Sequence, residues 1–211
     1  GTSQLQLDLN TFTLDATYER VQPGFRSLGL GRIRSDQEVI RINPRLELLD
    51  RRLSIGLDLK RVRNNLLDQR LATRRQRQIG GNVRARLAQG ITVSGSYTRM
   101  VNEHKSEAGT ALSQRLERRF VTHTATLSPS VTFQSGTTTH TVSVSSNFQQ
   151  FNDQPNLGGT PGQQRFDASS TNLTTTASYA LSFPSGLSLS LSGNYLRNDS
   201  EQATSTAYGS S

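Results

Sequence analysis

Between Phe120 and Phe148 the chain alternates. Val121, His123, Ala125, Leu127, Pro129, Val131 and Phe133 hold one set of alternate positions, and Thr122, Thr124, Thr126, Ser128, Ser130 and Thr132 hold the other. Successive side chains of an extended strand point to opposite faces. Thirteen residues of strict alternation therefore describe a strand with one apolar face and one hydroxyl face. The pattern resumes after Gln134-Ser135-Gly136, with His140, Val142, Val144 and Phe148 against Thr141, Ser143, Ser145 and Asn147. A two-residue turn at Ser135-Gly136 would set Leu127 opposite Val144, Pro129 opposite Val142 and Val131 opposite His140. The expectation is a long hairpin with a continuous apolar face, on which His140 has no evident partner.

The same period recurs along the chain. Apolar faces are carried by Phe12, Leu14, Ala16 and Tyr18; by Ile40, Ile42, Pro44, Leu46 and Leu48; and by Leu53, Ile55, Leu57 and Leu59. Further stripes run through Ile79, Val83, Ala85 and Leu87, then Ile91, Val93 and Tyr97, and finally a hairpin with Tyr179, Leu181, Phe183, Leu187, Leu189, Leu191 and Tyr195. Short turns are expected at 50–51, 88–90, 135–136 and 184–186. Polar segments of about ten or more residues separate them, near 23–37, 61–75, 102–113 and 152–164. Nine full strands are predicted, and ten if Gln4–Leu9, which ends in a turn at Asn10-Thr11, is counted as the stub of a preceding strand.

Only 32% of the 211 residues are hydrophobic, too few for the core of a soluble domain of this length. The apolar residues are patterned, which argues against disorder. There is no cysteine, so neither a disulfide framework nor thiol chemistry is available. Gly1-Thr2-Ser3 carries no signal-peptide pattern and reads as a processed end, a tag scar or an internal cut. No run approaches the roughly 18 apolar residues of a membrane helix. Strands crossing a bilayer must instead close on themselves, because no backbone group can be left unpaired in hydrocarbon.

The apolar stripe of each strand covers about ten residues, the length needed to cross a bilayer at a barrel's tilt. Aromatic residues stand at its ends: Tyr18, Tyr97, Phe148 and Tyr195 towards the long connections, Phe133 and Phe183 beside short turns. Short turns at one end, long connections at the other and aromatic girdles at both are features of bacterial outer-membrane β-barrel proteins, which the whole chain resembles in architecture. The resemblance implies an all-β, antiparallel up-and-down transmembrane barrel in a Gram-negative outer membrane. The bilayer and lipopolysaccharide would surround it, and other outer-membrane chains would complete or flank it. Tyr18-Glu19-Arg20-Val21-Gln22-Pro23-Gly24-Phe25-Arg26-Ser27-Leu28-Gly29 also resembles a stretch of Bacteroidota-type barrels of unassigned function. On this reading residues 1–211 form one barrel domain or a segment of a larger barrel. Residues 1–10 hold the stub, and 198–211 form a polar tail or truncated outer loop.

The inward face is charged in its first half and almost purely Ser, Thr and Asn after Gly90. With a turn at 50–51, Asp58 faces Asn43 and lies diagonal to Arg41 and Arg45, with Lys60 beyond. A carboxylate between two guanidiniums is either a structural ladder or part of a lumen wall that favours anions. Arg84 and Arg86 face Ser and Thr with no acid opposite, which makes them the better anion contacts. Arg61, Arg63, Arg70, Arg74, Arg75 and Arg77 cluster near one long connection, where they either contact lipopolysaccharide phosphates or are simply solvated. Nucleic acid is not an expected partner, because the aromatics do not cluster with the arginines. His104, His123 and His140 do not converge, so no metal is expected. No Gly-x-Ser-x-Gly or phosphate loop is present, so neither a cofactor nor an enzymatic activity is expected. A barrel acting as a pore, conduit or scaffold is the first expectation, and a secreted Ser/Thr-rich β-sheet adhesin or fibre protein is the alternative.

Overall fold

The computed structural model describes residues 1–22, 36–66, 72–106, 118–155 and 168–202. They form ten strands: β1 (Thr2–Leu9), β2 (Phe12–Val21), β3 (Gln37–Leu48), β4 (Leu53–Asn64), β5 (Ala72–Ala88), β6 (Ile91–Ser106), β7 (Arg118–Ser135), β8 (Thr138–Pro155), β9 (Ala168–Ser182) and β10 (Ser188–Gln202). Each strand pairs antiparallel with the next, so sheet order is chain order. β1 is a full partner of β2, from Thr2↔Glu19 to Leu9↔Phe12. β1 and β10 do not pair with each other, and among the described residues the sheet is open.

The strands outrun the apolar stripes. Arg61 to Asn64 continue β4, and Ala72 to Arg75 open β5, so the polar segment expected from 61 to 75 is mostly strand. β6 likewise runs on to Ser106, β8 to Pro155 and β10 to Gln202. Hydropathy alternation stops where the outer face leaves apolar surroundings, but backbone pairing needs no apolar side chain and continues. A polar knot closes the bases of β3, β4 and β5. Asn65 Nδ2 donates to Thr73 Oγ1 at 2.8 Å, and the Leu66 N–H donates to Asp36 Oδ1 at 2.8 Å. Asp36 and Asn65 take φ of 64° and 57°, a conformation their short polar side chains tolerate.

The turns at 50–51, 88–90 and 184–186 form as expected. Leu49, Asp50 and Arg51 have φ of 54°, 51° and 65°, and the Arg52 N–H donates to Leu49 O at 3.0 Å, which closes a tight turn between Leu48 and Leu53. Gly90 (φ 79°) follows a register shift between Arg86 and Ala88, and Gly186 (φ 84°) ends the loop after Pro184-Ser185. The β7–β8 turn differs. Ser135 pairs with Thr138, so Gly136-Thr137 is the turn, and Leu127 meets Ser146, Val131 meets Val142 and Phe133 meets His140. Gly136 (φ 62°) is the first central residue and Thr137 has no positive φ, as type II′ requires. A slip of two leaves every side chain on its expected face, so alternation alone could not choose between the two registers. Pro44 and Pro129 lack a ladder N–H. At both, pairing with the hairpin partner lapses, Asn43-Pro44 against Leu57-Asp58 and Ser128-Pro129 against Val144-Ser145.

Burial is inverted. Among the described residues only Val39, Val101 and Val121 are buried hydrophobics, while Leu57, Ile79, Leu127, Leu189 and Leu191 (74% exposed) stand clear of the sheet. A face this apolar and this exposed is not stable against water. It is a surface for lipid.

Candidate functional site: the lumen wall and the membrane face

Pairing carries one parity from strand to strand and so defines two faces. The residues expected on the inward face all share one of them. Arg41 lies opposite Thr17 and Lys60, and Arg45 lies opposite Thr13 and Gly56. Lys60 faces Gln78 on its other side. Asp58 faces Gly80, and its contact is the Gln78 amide, Nε2 to Oδ1 at 3.5 Å. Among the described residues it makes no ion pair with Arg41 or Arg45, so this trio is not a closed ladder. Arg84 sits between Ser54 and Ser94, and Arg86 is opposite Thr92. Both are exposed. From β6 to β9 the wall consists largely of hydroxyls that bond across strands: Ser128 to Ser145 at 3.0 Å, Thr132 to Thr141 at 3.3 Å, and Ser143 to Ser178 at 2.6 Å. Above them, at the long-connection end, Arg118 reaches Asp153 at 3.6 Å.

His104, expected in a loop, is on β6 opposite Arg74 and Arg118, with its ring edge-on to Phe120 at 6.1 Å. Burial lowers its pKa from the usual 6.5 and the Arg74 charge lowers it further, so it is held neutral at pH 7. Among the described residues no three His, Asp or Glu converge as a metal centre would need.

The outward face carries Tyr18, Tyr97, Phe133, Phe148, Phe183 and Tyr195, all exposed, at the two ends of the apolar stripes. Three pairs of polar groups that interrupt this face bond to each other. Tyr97 Oη and His123 Nδ1 are 2.7 Å apart, as are Tyr179 Oη and His140 Nδ1. His140 also stacks on Phe133 at 4.8 Å and 3°. Ser146 and Thr175, which break the alternation on β8 and β9, lie directly opposite each other and bond at 3.1 Å. In hydrocarbon an unpaired hydroxyl or imidazole has no water to turn to, so each such group needs a protein partner. His140, without an evident partner in the sequence, is thus accounted for by the register. Tyr179→Phe is expected to cost about 1–3 kcal/mol by orphaning His140, with most of it recovered in the His140→Phe/Tyr179→Phe double variant. Guanidinium unfolding in lipid vesicles measures both, and strictly additive losses would show that the bond contributes nothing.

Sequence reading missed one group. Arg61, Arg63, Arg75 and Arg77 are strand residues on the outward face, not loop residues; Arg74 is a strand residue of inward parity, and Arg70 lies outside the described residues. Arg99 and Arg119 join the outward set from β6 and β7. The signal was present, since Arg61 and Arg63 keep the parity of Leu57 and Leu59, and Arg77 and Arg75 that of Ile79.

An open run of antiparallel up-and-down strands with an apolar exterior and a polar, partly charged interior is the fold of an integral bacterial outer-membrane β-barrel, and that membrane is where such a surface resides. The structure is similar to that of BauA, the ferric preacinetobactin receptor from Acinetobacter baumannii, at a TM-score of 0.52 and 14% identity, over 96% of this chain and 40% of that one. It also aligns with the siderophore receptor PiuA from the same organism (TM-score 0.47, 11% identity, 94% of this chain and 44% of that). In-vitro folded OmpT, an outer membrane protein of Vibrio cholerae in its trimer form, aligns at a TM-score of 0.45 and 10% identity (93% and 64%). The chain spans less than two thirds of each of these structures. No protein-family model matches it, and no curated protein is similar to it in sequence. The expectation that the chain is not an enzyme is withdrawn. A barrel presents side chains from many strands without any local motif, so a sequence that lacks a catalytic motif leaves catalysis open.

Proposed function

We propose that the barrel to which these strands belong is a conduit through the outer membrane whose wall favours anions. The observation that carries this reading is the pair Arg84 and Arg86, exposed on the inward face between Ser54, Ser94 and Thr92 with no carboxylate opposite. Arg41, Arg45 and Lys60 extend the positive wall, and Asp58 tempers it. Tyr18, Tyr97, Phe148 and Tyr195 form the outer aromatic girdle, and Phe133 and Phe183 the inner one. The free edges of β1 and β10 cannot stand unpaired in lipid, so further strands or another outer-membrane chain complete the wall. The stretch from Tyr18 to Gly29 supports a Bacteroidota-type origin; its first part, to Val21, lies on β2.

In planar bilayers under a salt gradient, Arg84→Gln/Arg86→Gln channels are expected to show a reversal potential displaced towards cation preference relative to the parent. Unchanged selectivity, or a parent that conducts nothing, would sink the conduit reading.

A further inference from the structure

Six arginines point outward at the long-connection end, just beyond the apolar stripe: Arg61, Arg63, Arg75, Arg77, Arg99 and Arg119. They lie on four adjoining strands. The placement has an electrostatic oddity. Arg61 is directly opposite Arg77, and Arg63 is directly opposite Arg75. Like charges directly across an antiparallel pair repel, and nothing in strand pairing requires them there. The acids on the same face are few and stand beside the outer pair: Glu38 is opposite Arg63, and Glu103 is opposite Arg75 and Arg119, whereas Arg61 and Arg77 have Ile40 and Val101 on their other sides. Glu38 receives the Tyr18 hydroxyl at 3.0 Å, and Glu103 lies 3.8 Å from Arg119. Among the described residues Arg61, Arg77 and Arg99 make no ion pair, and Arg75 Nε–H has no acceptor although it is buried.

The surface around them is amphiphilic in a set order. Towards the short turns, the next outward residues on β4 and β5 are Leu59, Leu57 and Ile79, of which Leu57 and Ile79 are exposed. Val101 and Val121, opposite each other on this face, are only 8% and 4% exposed, with Arg77 across from Val101 and Arg99 and Arg119 two residues along. Long arginine stems can cover apolar neighbours while their charged heads stay at the edge of an apolar band.

We propose that this patch binds the phosphate groups of an outer-leaflet glycolipid, with its acyl chains lying on Leu57, Leu59 and Ile79. A phosphate between Arg61 and Arg77 turns a repulsive pair into two charge-assisted contacts. The apolar surface immediately below selects a lipid over free phosphate. The patch is on the opposite face from the proposed conduit, so either reading can fail without the other.

The test is native mass spectrometry of the protein released from detergent micelles, titrated with bisphosphorylated lipid A. The parent is expected to retain lipid A. Arg61→Gln/Arg77→Gln should bind it at least tenfold more weakly, while folding at least as well in phosphate-free detergent because the repulsion is gone. The inward Arg84→Gln/Arg86→Gln variant should bind it like the parent. Equal retention of dephosphorylated lipid A would overturn the proposal, as would unchanged binding by Arg61→Gln/Arg77→Gln. Displacement of lipid A by inorganic pyrophosphate at matched concentration would make this a soluble-phosphate site and overturn it too. Failure of the parent to bind lipid A, with an acidic protein partner retained instead, would do the same.

Discussion

Replacing Leu127 with arginine is expected to destabilise the folded protein by about 2–4 kcal/mol in a bilayer, the depth-dependent cost of a cation on the lipid face of a barrel near its midplane. Leu127 stands on the outward face of β7, 53% exposed, between Gly95 and Ser146. In water, exchanging so exposed a leucine for arginine would change stability by no more than about 0.5 kcal/mol, because nothing is unpacked and the charge is hydrated. The size of the effect therefore reports the medium against the sheet. Thr124→Arg, one and a half turns of the pleat away on the inward face, is the control and should be nearly neutral, since its new charge points into a polar space. Unfolding by guanidinium in lipid vesicles gives both numbers. A loss at Leu127 no larger than at Thr124 would return the chain to the secreted-sheet alternative.

Faces were legible in the sequence because side-chain direction in a strand depends only on parity. Arg41, Asp58, Arg84 and Arg86 were assigned inward, and Leu127, Leu189 and Leu191 outward, without knowledge of any pairing partner. Register was less legible. For β7 and β8, Ser135-Gly136 and Gly136-Thr137 are both two-residue turns containing the same glycine, and both keep Phe133, His140 and Val142 on one face. What separates them is local chemistry. Glycine at the first central position fits the turn, and the chosen register lets His140 stack on Phe133 and bond Tyr179. Strand ends were least legible. At Arg61, Ala72, Asn102 and Asn152 the hydropathy signal stops, but main-chain hydrogen bonds do not depend on it. That misplacement hid the outward arginines, which were read as loop residues although their parity already gave their side of the sheet.

Gly90→Ala is expected to be the most damaging single methyl in the described part of the chain. Two costs coincide there. The backbone is left-handed at φ 79°, which costs a residue with a Cβ about 1–2 kcal/mol. The Cβ would also be driven into the Thr132 carbonyl oxygen of β7, while the Gly90 carbonyl accepts the Thr132 N–H at 2.7 Å. The backbone of β7 is thus held against this glycine and cannot retreat without loosening the β6–β7 ladder at its turn end. Gly136 and Gly186 provide the comparison. Their φ values of 62° and 84° impose the same conformational cost, yet a Cβ at either meets nothing within 4 Å. Gly136→Ala and Gly186→Ala should therefore each lose only that 1–2 kcal/mol, and Gly90→Ala roughly twice as much or fail to fold. Folded yield read from the heat-modifiable gel shift, together with guanidinium midpoints for the variants that fold, ranks the three. Equal losses at all three turns would mean that β7 can move away, and that the contact with Thr132 contributes nothing to holding the sheet.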